Sequence, residues 1–220
     1  GDGKKAAFRM RKRRKQMNRD LTVGEPQSVL WRFSIPMFVS VIFQQLYNMA
    51  DSVIAGKFAG EDALAAVGAS YPITMIFMAI AVGSNIGCSV IISQYFGAKW
   101  FEKMKTAVYT TLLSSTVLSV LLTFAGLLGS RWMMTAINTP ENIFADGDLY
   151  LRIYIGGFVF LFLYNVATGI FNSMGDSRTP LYFLIGSSLG NIVLDLIFVA
   201  VFHWDVAGVA WATFIAQGIA

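Results

Sequence analysis

The sequence predicts an all-α membrane protein, a lobe of six transmembrane helices whose sixth is cut short at Ala220. Three observations carry this prediction. Apolar residues make up 55% of the chain and charged residues only 14%, against about 25% charged in an ordinary soluble domain. The mean hydropathy is +0.59. The apolar residues also fall in long runs, near 30–55, 64–93, 107–128, 150–171, 181–202 and 206–220. About 20 helical residues cross a bilayer core, so the first five runs are long enough to span it.

The elements follow in order. Residues 1–27 form a polar, basic segment containing Arg11-Lys12-Arg13-Arg14-Lys15, read as a cytoplasmic tail beside anionic headgroups. The run that follows is a full-length span, not the short apolar core of a cleavable leader, so the first span is expected to persist in the mature protein. Pro36 lies near the start of span 1 and Pro72 early in span 2. Between spans 3 and 4 a loop of about 129–149 contains Asn138-Thr139-Pro140-Glu141. That order reads as a helix start, with Thr139 as N-cap and Pro140 at the first position, and predicts a short amphipathic helix in the loop. Asn172-Ser-Met-Gly-Asp176-Ser-Arg-Thr-Pro180 reads as a tight connector between spans 4 and 5. Span 6 begins near Val206.

Charge sets the orientation. Ten of the 17 basic residues lie between Lys4 and Arg32. With Lys99, Lys103, Lys105 and Arg178, 14 basic residues fall on one side of the membrane, leaving Lys57, Arg131 and Arg152 on the other. The positive-inside rule places the tail in the cytoplasm, with spans 1, 3 and 5 running outward. This clustering argues for a membrane surface rather than nucleic acid as the partner of the basic residues.

Glycine recurs in the spans, at Gly56, Gly68, Gly83, Gly87, Gly156, Gly157, Gly169, Gly186, Gly190 and Gly208. Close helix packing is the expected reason, with hinge points in a moving bundle as the alternative.

Two acids stand out. Of 13 acidic residues, only Asp51 and Asp195 fall inside predicted spans. A carboxylate at the membrane centre costs about 2.5–3.5 kcal/mol on insertion scales, so it needs a partner, water or a use. Both acids sit near the outer ends of outward helices, at similar depth. Gln44, Asn48 and Asp51 follow the i, i+4, i+7 spacing of one helix face, and Ser188, Asn191 and Asp195 follow i, i+3, i+7. Such polar stripes belong in the protein interior or beside a water-filled cavity. Tyr47, Tyr164, Asn165 and Thr168 are further candidates for a polar lining. A carboxyl group withdrawn from bulk water can exchange a proton near neutral pH. The same oxygens, with Asn carbonyls, are hard ligands suited to Na⁺. The bland alternative is a pair of structural acids hydrogen-bonded within the bundle.

The segments around the acids are alike. Asn48-Met-Ala-Asp51 is followed by a short loop and an Ala/Gly-rich inward helix from Asp62. Asn191-Ile-Val-Leu-Asp195 is followed by a short loop and a similar helix from Asp205.

No enzyme signature is legible. The chain has no phosphate loop, metal-ligand cluster or Ser/His/Asp arrangement, and no cofactor is expected. Its single cysteine, Cys88, forms no disulfide within the chain. Two membrane aspartates also suit an intramembrane aspartyl protease, which needs acids sharing a proton at close range. The Tyr-Asp and Gly-x-Gly-Asp contexts of those proteases are missing here.

Several segments taken together resemble a known family. Phe43-Gln-Gln-Leu-Tyr-Asn-Met-Ala-Asp51-Ser-Val-Ile-Ala-Gly56 resembles the first helix of MATE (multidrug and toxic compound extrusion) transporters of the bacterial NorM/DinF type. So do Leu64-Ala-Ala-Val-Gly68, Gln94-Tyr-Phe-Gly97-Ala, Gly175-Asp-Ser-Arg-Thr-Pro180 and Asn191-Ile-Val-Leu-Asp195, in matching order over about 26–220. The resemblance implies one six-helix lobe of a twelve-helix protein in a bacterial plasma membrane. It implies export of small amphipathic or cationic compounds in exchange for Na⁺ or H⁺ by alternating access. The family's cation site then maps onto Asp51, Asn191 and Asp195. The chain starts at Gly1 and stops inside the sixth helix, so a carboxy-terminal six-helix lobe is the expected missing partner. A lipid-linked precursor flippase of related architecture is the alternative, but its cavity should carry fixed basic residues that these spans lack.

Overall fold

The computed structural model describes residues 25–220, except for the side chains at positions 51, 55 and 59. All but the last three residues of the basic tail therefore lie outside the described residues. Helix α1 runs Pro26–Ile54 and continues as a π-helical turn, Ala55–Ala59. Next come α2 Glu61–Gly97, α3 Phe101–Ala136, α4 Glu141–Gly156 and α5 Phe158–Ser173. Helix α6 Arg178–Asp195 continues as a second π-helical stretch, Leu196–Val201, and α7 is Asp205–Ile219. No strand occurs among the described residues.

Four helical stretches are long and apolar enough to cross a membrane: Pro26–Phe58, Glu61–Gly97, Phe101–Ala136 and Arg178–Val201. The pair α4 and α5 passes the same test as one span bent by 47°. The 15 residues of α7 reach only about 22 Å.

The bent pair changes the reading of the 129–149 loop. Helix α3 continues to Ala136, and the segment expected to be a separate amphipathic helix joins α5 across a 47° bend. Its start differs too. Pro140 rather than Thr139 is the cap residue, without a side-chain capping bond, and Thr139 Oγ1 lies 4.0 Å from Met134 Sδ. The physical reason is burial: Ile143, Tyr150, Leu151 and Ile155 of α4 are covered, chiefly by α2, α7 and α3. A helix with so much apolar surface to cover joins the bundle rather than resting at the interface. The bend falls at Gly156-Gly157, where a Cβ on Gly157 would lie 2.9 Å from the Phe214 ring of α7.

Helix α2 is the central post, packed against α5, α4 and α3. An aromatic core fills these contacts. Phe77 meets Phe158 edge-on at 5.0 Å between centroids, and Phe158 meets Phe162 at 5.6 Å. Ile92, Met134, Leu151 and Ile155 close around them, fully buried. A second apolar cluster joins Ala63 and Ala66 of α2 to Ile143, Tyr150, Val199, Val206 and Val209. Helix α1 packs mainly on α6, and α7 bridges α4 and α6.

The glycines divide into two groups. Gly157, Gly169 and Gly208 are pressed by neighbours, as are Gly126 and Gly147, which the sequence did not single out. Gly68, Gly83, Gly87, Gly186 and Gly190 have no heavy atom within 4 Å of a built Cβ. Close packing is thus not the reason for these five within this lobe. Their helix faces are turned away from every neighbouring helix.

The connector between α5 and α6 is a built turn. Gly175 takes the left-handed conformation at φ 80°. Asp176 Oδ1 accepts the N–H groups of Arg178 and Thr179, both at 3.1 Å, and Oδ2 accepts the Thr179 hydroxyl at 2.7 Å. Ser177 Oγ donates to the Phe33 carbonyl at 3.1 Å, tying the turn to α1. Asp176→Ala should cost about 1 kcal/mol, the ordinary loss for a helix cap. Asp176→Asn, which keeps an oxygen at the cap, should cost less than half as much. Thermal unfolding of the purified protein reads the difference.

Candidate functional site

The site is built on α6. Ser188, Asn191 and Asp195 are 3%, 1% and 0% exposed, so the predicted stripe faces inward along its whole length. Helix α6 packs chiefly on α1 and α7, which therefore cover this face. Neither the oxygen nor the nitrogen of the Asn191 amide has a hydrogen-bond partner among the described residues. An amide buried in that state costs free energy unless something fills its bonds. Serine, amide and carboxylate oxygens at one buried face are donors suited to a small hard cation.

Asp51 lies on the partner helix. Its backbone sits in the last turn of α1, just before the π-helical turn Ala55–Ala59. Asp195 ends the α-helical part of α6, directly before Leu196–Val201. Those two π-helical segments touch, and α1 and α6 pack along their lengths. The backbones of the two acids are therefore at matched depth on neighbouring helices. The Asp51 side chain lies outside the described residues. The likeness between the two Asn–Asp segments thus extends to structure: each helix loosens into a π-helical segment beyond its acid, and each is followed by a further helix after a short break. Single π-helical turns recur at functional sites because they re-aim backbone groups.

The remaining candidates separate. Gln44 and Asn48 are exposed on the lobe surface and Tyr47 is half-buried. Gln44 and Asn48 therefore lie outside the interior of this lobe. The physical reason is sparse cover: among the described α1 side chains, only Ile54 is buried. Tyr164 donates its hydroxyl to the Pro180 carbonyl at 3.4 Å. Pro180 is 15 residues before Asp195 on α6, so this contact lies about 22 Å along the helix axis from the acid. Thr168 is the hydrogen-bonding neighbour of Tyr164, and Asn165 donates to its own helix at the Leu161 carbonyl, 2.9 Å away. Tyr164, Asn165 and Thr168 therefore belong to the half of the lobe remote from Asp195 and do not line the acid site.

One polar seam escaped the sequence reading. Between α2 and α5, Ser89 Oγ donates to Asn85 Oδ1 at 3.0 Å, and Ser173 Oγ reaches the Ser89 carbonyl at 3.0 Å. Gly169 makes the approach possible, since a Cβ there would overlap both Asn85 and Ser89. The i, i+4 spacing of Asn85 and Ser89 in an apolar span was the available signal.

Other chemistry finds no support among the described residues. No group of three or more His, Cys, Asp or Glu stands close enough to hold a metal. Both carboxylate oxygens of Asp176 are occupied by the turn.

Apolar helices of membrane-crossing length around a buried acid–amide face define a helical membrane-protein lobe. The MatE family model matches residues 36–197, and the chain belongs to that family. It is 31% identical over 201 residues to a probable multidrug resistance protein, YpnP, of Bacillus subtilis, covering 91% of this chain and 45% of that one. A second Bacillus subtilis protein of the same description, YoeA, is 32% identical, with 89% and 44% covered. A MOP superfamily transporter from Pyrococcus furiosus superposes with a TM-score of 0.85 at 28% identity, over 93% of this chain and 44% of that structure. The chain thus spans just under half the length of these relatives.

Proposed function

We propose that this chain is the amino-terminal lobe of a secondary active exporter in a bacterial plasma membrane, its N-terminus cytoplasmic. Asp51, Asn191 and Asp195 bind the coupling ion, Na⁺ or H⁺. The exported compound is small and amphipathic or cationic, and it contacts a cavity shared with a carboxy-terminal six-helix lobe. The observation that carries this reading is the fully buried Ser188–Asn191–Asp195 face packed against the helix of Asp51. The multidrug resistance descriptions of relatives support the substrate class.

The mechanism follows from linkage. An ion on the buried carboxylate neutralises a charge that the membrane interior penalises. That favours the lobe arrangement in which α1 and α6 close on the site. Substrate binding on the exposed Gln44–Asn48 side favours the other arrangement, so each ligand weakens the other by the same factor. Outward movement of one is thereby coupled to inward movement of the other, with no chemical conversion.

The test is efflux of a cationic dye from proteoliposomes under an imposed Na⁺ or pH gradient. Efflux should follow one of the two gradients and reverse with it. Dye movement indifferent to both gradients would overturn the proposal.

A further inference from the structure

The turn between α2 and α3 carries a groove outside the acid site. Its volume is about 500 Å³, and it is lined by Ile91 and Tyr95 of α2 and by Lys103, Thr106, Thr110 and Thr111 of α3. The four α3 residues follow the i, i+3, i+7, i+8 spacing of one helix face.

The groove changes character along its length. At the turn, Lys99, Lys103 and Lys105 stand against one acid, Glu102. Glu102, which also lines the groove, is held by Lys105 at 2.8 Å. Lys103 is not in that pair. Its Nζ sits 4.3 Å from the centre of the Trp100 ring, a cation–π contact that holds the ammonium at the groove mouth. Trp100 and Phe101 are largely exposed beside it, the amphipathic rim expected at headgroup depth. Thr106 and Thr110 follow one and two turns deeper, and Ile91 marks the apolar part. From Lys103 to Thr111 the helix rises about 12 Å.

The order cation, hydroxyl, apolar wall matches the order phosphate, glycerol ester, acyl chain in a phospholipid. We propose that this groove binds the headgroup of an anionic phospholipid from the adjoining leaflet. Lys103 in the groove wall and Lys99 at the same turn, neither in an ion pair among the described residues, select an anionic headgroup over a zwitterionic one. The hydroxyls of Thr106 and Thr110 face the ester region, and the acyl chains pass over Ile91 into the bilayer. This reading is independent of the ion site.

The test uses the protein as its own gene encodes it, purified with a defined mixture of phosphatidylglycerol and phosphatidylcholine and examined by native mass spectrometry. Wild type should retain phosphatidylglycerol at least fivefold over phosphatidylcholine. The double variant Lys99→Gln/Lys103→Gln should lose that preference. Thr110→Phe, which fills the groove without changing charge, should lower retention to a similar degree. Arg178→Gln, on the same membrane face but outside the groove, should change nothing. Undiminished preference in both groove variants would overturn the proposal, as would an equal loss in Arg178→Gln. Displacement of the lipid by inorganic phosphate alone would assign the groove to a free anion instead, and would overturn it too.

Discussion

Asp195→Asn is expected to lower ion-dependent efflux at least tenfold while leaving the yield of folded protein unchanged. The side chain is fully buried, and the amide is close to it in size, so packing is preserved. What disappears is a negative charge that an ion can neutralise. Hydrogen bonds and contacts to a charged group contribute about 1.5–3 kcal/mol, or about ten- to a hundredfold in affinity at 1.4 kcal/mol per decade. Stability should hold or rise, because a neutral amide is cheaper to bury than a carboxylate. Asn191→Leu keeps the charge and removes only a neutral ligand. It should raise the ion concentration needed for half-maximal efflux while sparing the maximal rate. The readout is dye efflux from proteoliposomes against ion concentration. Coupled efflux within twofold of wild type in Asp195→Asn would remove this residue from the site.

Substitutions at Gly169 should have the largest effect on folding. A Cβ at this position falls on Asn85 and Ser89, at the interface of α2 with α5, one of the most extensive in the lobe. Gly169→Ala should cost about 1–3 kcal/mol, the usual cost of overpacking. Gly169→Leu should leave little folded protein. The double variant Asn85→Ala/Gly169→Ala restores room for the methyl group and should recover most of the loss, a coupling that distant sites do not show. Gly83→Ala is the contrast. Its Cβ meets nothing within 4 Å, and alanine is the better helix former, so it should be neutral or stabilising. Melting temperatures of the four proteins decide the matter. Equal melting of Gly169→Ala and wild type would contradict the packing argument.

Much of the architecture was legible because membrane insertion is read locally. A run of about 20 apolar residues is a span whatever its neighbours do, so the helices and their order follow from composition. The rarity of charge in those runs made Asp51 and Asp195 conspicuous, and helix periodicity placed Ser188 and Asn191 on the face of Asp195 before any contact was known. Local signals failed where an apolar segment had a choice of surroundings. Glu141–Gly156 reads as an interfacial helix by its polar start, yet Ile143, Leu151 and Ile155 find cover in the bundle and make it one arm of a bent helix pair.

The sequence alone determined that this is a helical membrane protein with two acids at corresponding places on two apolar helices. Both properties depend on the intrinsic cost of charge in lipid and on a fixed helical repeat. Only the tertiary structure decided which polar stripe is buried. The face of Asp195 is covered by α1 and α7, whereas Gln44 and Asn48 on α1 lie open, although both stripes have helical spacing. It also decided that Tyr164 belongs with Pro180 rather than with the acids, and that Gly169 is a contact while Gly83 is not. Periodicity says which residues share a face. Which neighbour covers that face depends on contacts distant in sequence.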